Sequence, residues 1–193
     1  MLLDRPLYER TLKHLLNAIG KAKAEVDPFP HVLIEGVFPE DVFRKLVECY
    51  PQASHFTKAN PKHHSDEYGK STRQRMSLNE ACLSTLPDQH HTLWATIRAA
   101  IGCREAKDAV FSKLAPGLSR RFRIGEDQVS SVPAFPRGQL YSEVEGYRIA
   151  PHPDTREKIV TMQFAFPTDD SLRNVGTEFY RRSLNPIHLL REP

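Results

Sequence analysis

The chain has 193 residues, of which 39% are hydrophobic and 26% charged, with a formal net charge of +3. That is enough for one domain with a sizeable core, in the balance of an ordinary water-soluble protein. So small a charge without a long Lys/Arg run gives no argument for nucleic acid as a partner, and three scattered cysteines, Cys49, Cys82 and Cys103, give neither a zinc knuckle nor a disulfide framework.

The opening "MLLDRPLYERTLKHLL" carries acids and arginines where a signal peptide needs an apolar run. No stretch reaches the length of a membrane span, so the expectation is a cytoplasmic protein without membrane contact. "RPLYERTLKHLLNAIGKAKAE" predicts an amphipathic helix with Leu12, Leu15, Leu16 and Ile19 on one face and Gly20 near its end. In "DPFPHVLIEGVF" two prolines stop the helix, and Val32 to Ile34 suggest a short strand. "PEDVFRKLVECYP" predicts a helix begun by Pro39, favoured at its positive end by Glu40 and Asp41, and closed by Pro51.

Residues 52–72 lack period and apolar content and predict a long surface loop. "RQRMSL" predicts a strand. "DQHHTLWATIRAAIG" predicts a helix on Leu93, Trp94, Ile97 and Ile101, with His90 and His91 as a solvated or capping pair. "REAKDAVFSKLAPGL" predicts a second helix ended by Pro116 and Gly117, and the arginines of "LSRRFRIG" a solvated face. Beyond about residue 120 the texture changes. "GQLYSEVEGYRIA", "EKIVTMQFAFP" and "GTEFYRR" are short, aromatic or β-branched runs separated by turn residues, and predict strands. The expectation is a single domain in which 1–118 is mainly helical and 119–193 β-rich, hence an α+β fold.

Between two of those strands stand His152 and Asp154. Side chains at i and i+2 of a strand leave the same side of a sheet, so an imidazole and a carboxylate can address one metal ion. Two histidines and one carboxylate on one face of an octahedron form the facial triad of non-haem iron(II) oxygenases, which leaves three positions open. With nine histidines in the chain, the His-x-Asp spacing alone is expected about half a time by chance. A second copy, His64 and Asp66 beside His63, lies in the polar loop where no strand supports it, and is taken as the chance occurrence. Phosphate-cradling glycine motifs, GxSxG and HExxH are absent.

Residues 140–182, with Tyr141, Gly146-Tyr147, His152-Pro153-Asp154, the run Ile159 to Pro167 and Gly176-Thr177, resemble the first half of the double-stranded β-helix of the iron(II)/2-oxoglutarate-dependent oxygenases, in particular the prolyl-hydroxylase-like branch. "DPFPHVLIEGVFPEDVFRKLVECYP" is similar to the docking strand and buttressing helix that precede that barrel. The resemblance implies helices packed on an incomplete double-stranded β-helix, or jelly roll. It implies iron(II) held by His152 and Asp154, with 2-oxoglutarate as co-substrate contacted by Tyr141. Thr161 and Gln163 alternate with Met162 and Phe164, so one of these pairs would face the barrel interior, and the polar pair is taken to do so; Phe164-Ala165-Phe166 stands where related proteins often carry a tyrosine that binds the far carboxylate.

The implied activity is hydroxylation of a small molecule or amino-acid-type substrate. The alternative is a degenerate oxygenase-like module that binds without turnover. The chain departs from the family downstream. Only His188 and Arg191 follow as candidates for the second histidine and the co-substrate arginine, and they come too early for the remaining strands of about five or six residues each. The chain is then either truncated relative to the family, or recruits an unusual ligand, or has its open sheet edge completed by another chain, as in a homo-oligomer; none of its own histidines is expected at the usual third position.

Overall fold

The computed structural model describes residues 3–59, 72–144, 147, 152, 154–167, 169 and 176–180. Helix α1, Arg5–Lys21, begins where the Asp4 carboxylate accepts the free amide of Leu7 at 3.0 Å. Its buried positions Thr11, Leu15 and Ile19 recur every fourth residue and pack on α4, Asp88–Ile101, and α5, Arg104–Lys113. Helix α2, Glu40–Glu48, buries Val42 and Leu46. The indole of Trp94 in α4 is 1% exposed, and its Nε1 donates to the Cys49 carbonyl at 2.9 Å, which ties α4 to the end of α2. A short α3, Glu80–Leu83, precedes α4.

The apolar side chains gather in two clusters. One surrounds Trp94 and takes in Phe38, Leu46, Met76 and Leu140. The other joins α1 and α5 to α6, Ala115–Phe122, through Leu15, Phe111 and Leu118, with Val129 of the 3-10 turn Glu126–Ser131 beneath.

Strands are short. β1, Ala24–Glu25, pairs with β2, His31–Val32. β3, Thr57–Lys58, β4, Arg73–Ser77, and β5, Gln139–Glu143, form a three-stranded antiparallel sheet in that order. The register sets Met76 opposite Leu140, and both are buried on the helical side. A strand from beyond residue 119 is thus sewn to a strand from the helical part.

The molecule is mixed helix and sheet, with two small antiparallel sheets and no closed barrel among the described residues. Those residues form no jelly roll. The runs expected as strands at 157–167 and 176–182 carry no ladder over their described residues. Alternation marks a segment with one apolar face, and here the helical core takes that face by packing. The segment 52–72 also departs from a plain loop, since Ala53–His55 is a 3-10 turn and Thr57–Lys58 is β3; residues 60–71 lie outside the described residues.

Pro116 and Gly117 do not end a helix as expected. They stand in the first turn of α6. The first amides of a helix have no internal acceptor, so proline loses nothing there. Gly117 lies where a Cβ would come within 2.6 Å of Cγ of Pro30, so α6 rests directly on the proline-rich turn before β2.

Candidate metal centre

The segment that carries His152 and Asp154 is held from α6. Arg121 spreads its guanidinium over three carbonyls, those of Arg156 at 2.5 Å, Lys158 at 2.8 Å and Ile159 at 3.2 Å. The Lys158 amide also donates to the Thr155 carbonyl at 3.1 Å, which closes a turn. Arg121 stays exposed, as the solvated face of "LSRRFRIG" leads one to expect, and its planar fork serves several acceptors at once.

Inside this turn Asp154 has a donor on each oxygen. Nζ of Lys158 lies 2.5 Å from Oδ1, and the Thr161 hydroxyl donates to Oδ2. Partial burial raises the Asp154 carboxyl. The bonds from Lys158 and Thr161, the Lys158 charge and that of His152 act the other way and hold it below the ordinary carboxylate value. Asp154 is thus ionised at neutral pH, with His152 near enough for its charge to be felt. His152 itself is exposed.

Thr161 and Gln163 are exposed, while Phe164 and Phe166 turn inward. Phe164 packs on Phe38 with ring centres 5.6 Å apart, and Phe166 meets Phe38, Phe43, Tyr50 and Trp94. The run 161–166 has an apolar face on the helices and a polar face that carries Thr161 to Asp154. Gln163 continues the polar face and accepts from the Thr177 hydroxyl at 3.0 Å.

Tyr141 is engaged elsewhere. Its ring lies under the Arg73 guanidinium at 3.8 Å, its carbonyl accepts from Tyr50 at 2.8 Å, and its hydroxyl donates to Gln139. Arg73 also reaches Glu143 at 3.0 Å and the Tyr147 ring at 5.1 Å. Burial pushes the Tyr147 phenol up, against the pull of Arg73. None of these groups is among the hydrogen-bond partners of Asp154. His63, His64, Asp66, Gly146, Pro153, His188 and Arg191 lie outside the described residues.

No protein-family model, curated protein or solved structure matches this chain. The donor set must be judged by its own chemistry. One imidazole and one carboxylate supply two donors where a facial triad needs three, and among the described residues no group of three or more His, Cys, Asp or Glu side chains can hold a metal ion. Both oxygens of Asp154 are already bonded. These residues as arranged do not make an iron(II) centre. Among the described residues, no helix is long and apolar enough to cross a membrane.

Sequence reasoning missed Lys158 and Arg121. The Asp154–Lys158 spacing of four was a visible signal, although it is commonly the mark of a helix pair. Arg121 had none, because its acceptors are backbone carbonyls.

Proposed function

We propose that the chain acts as an iron(II)/2-oxoglutarate-dependent oxygenase that hydroxylates a small molecule or amino-acid-type substrate, with His152 and Asp154 as two of the metal ligands. One observation carries this reading. An ionised Asp154, within electrostatic reach of His152, sits on the polar side of a run whose other side is anchored in the core by Phe164 and Phe166. A ligand pair needs such support, because a metal site tolerates little positional slack. Thr161 contributes by orienting the carboxylate, as groups behind metal ligands do. The missing donors come, in this reading, from residues outside those described or from a second copy set along β5, which among the described residues has a ladder partner on one side only.

A binding module without turnover is favoured by a different observation, the engagement of both Asp154 oxygens by Lys158 and Thr161. Anaerobic titration with iron(II) and 2-oxoglutarate separates the two. Growth of a metal-to-ligand charge-transfer band supports the oxygenase; an unchanged spectrum at stoichiometric metal supports the module.

A further inference from the structure

The ladder between β4 and β5 fixes which way each backbone group of β5 points. The Leu78 amide donates to the Gly138 carbonyl at 3.0 Å, and the Val144 amide to the Thr72 carbonyl at 3.1 Å. Bonded pairs alternate with non-bonded ones along an antiparallel ladder, so between these two the register bonds Leu140 to Met76 and Ser142 to Gln74. The amides and carbonyls of Gln139, Tyr141 and Glu143 therefore leave β5 on its other side, where it has no ladder partner among the described residues. All three residues are exposed. The middle carbonyl of this row is taken. The Tyr50 hydroxyl donates to the Tyr141 carbonyl at 2.8 Å, close to the distance at which the amide of a next strand would donate. The Tyr50 ring packs against Phe56, Trp94 and Phe166, which holds the hydroxyl in place.

We propose that this edge is a pairing surface for a second copy of the chain, and that Tyr50 is the group that holds it shut. The edge is self-complementary. Two copies related by a twofold axis at Tyr141 bring Tyr141 opposite Tyr141, and Gln139 opposite Glu143 of the second copy. Each facing pair exchanges both of its backbone bonds, and the Gln139 amide group meets a carboxylate across the seam. Val144, 53% exposed, comes opposite Gly138 of the second copy, which has no side chain to obstruct it. The central bonds of this pairing need the carbonyl that Tyr50 occupies, so the hydroxyl of each copy must let go. An open edge invites wrong partners as well as right ones, and a fixed phenol on its central acceptor weakens its pairing with both. None of this depends on a metal, so the result stands apart from that of the charge-transfer titration.

The test uses the full chain. Sedimentation velocity over a concentration series gives the midpoint of association, and amide hydrogen exchange gives its place. Tyr50→Phe keeps the ring and removes the donor. It should associate at a concentration about thirtyfold below that of wild type, the scale of two ordinary hydrogen bonds no longer lost on pairing. As it does so, the amides of Gln139, Tyr141 and Glu143 should gain protection, while those of Leu140 and Ser142, already bonded to β4, change little. Adding Gln139→Pro to Tyr50→Phe removes an outward donor at the first residue of the strand, one that β4 does not use, and should raise the midpoint again. Helical circular dichroism confirms that each variant is folded. A midpoint in Tyr50→Phe equal to or above that of wild type overturns the proposal, as does a monomer at every concentration in both. So does association without protection of the Gln139, Tyr141 and Glu143 amides, or association indifferent to Gln139→Pro, either of which would put the interface elsewhere.

Discussion

The guanidinium of Arg121 donates to the carbonyl of Lys158 at 2.8 Å, so the last turn of α6 fixes the backbone from which the ammonium on Asp154 departs. Arg121→Met should release the 155–159 turn. The expected loss is about 1–2 kcal/mol of stability, from charge-assisted bonds made near the surface. Urea denaturation measures it, and hydrogen exchange should show the Lys158 amide losing protection while the α4 amides keep theirs. Arg121→Lys should recover only part, because a single ammonium cannot span three acceptors.

The depressed Asp154 carboxyl gives a pH dependence of defined sign. A carboxylate whose folded pKa lies below its unfolded value of about 4 adds stability above that value, and the addition is lost as pH falls through the folded pKa. Lys158→Met removes two of the lowering influences and should bring the carboxyl up. Carbon-13 titration of labelled aspartate reports the shift, and the acid unfolding of the variant should begin at higher pH than that of wild type.

Tyr50 titrates late. Burial pushes its phenol up to about 12, the Glu143 charge adds to that, and the bond to the Tyr141 carbonyl opposes. In an ultraviolet titration of the phenols, the Tyr50 share of the absorbance should appear only near pH 12 or with unfolding. Tyr50→Phe should remove that late step and leave the earlier ones in place.

Gly117→Ala sets two effects against each other. Alanine in a helix is favoured over glycine by about 1 kcal/mol. The added Cβ would lie 2.6 Å from Cγ and 2.8 Å from Cβ of Pro30, atoms of a ring that cannot swing aside. Overpacking of this kind costs about 1–3 kcal/mol, so the expected net is destabilisation, read as a lower urea midpoint with an unchanged slope.

The helices were legible because their buried faces repeat with the helical period: Leu15 and Ile19 in α1, Val42 and Leu46 in α2, Leu93 and Ile97 in α4. The break between α5 and α6 was misplaced because Pro116 opens helices as readily as it ends them. The run 159–167 announced two faces through Phe164 and Phe166, yet alternation cannot say whether another strand or a helical core will cover the apolar one. At the site, His152 and Asp154 could be picked out by spacing and chemistry. The support from Arg121 could not, since a guanidinium that binds carbonyls needs no particular residue at the other end.

The β4–β5 pairing has a consequence for synthesis. Partners such as Arg75 and Tyr141 are about 60–70 residues apart, so β4 leaves the ribosome long before the strand that will cover its free side. In that interval Met76 and one row of backbone donors and acceptors stand open, with only the two residues of β3 alongside. The growing chain carries an adhesive border through the time needed to make four helices, α3, α4, α5 and α6. Crowded translation is then a condition that exposes this border to misassembly.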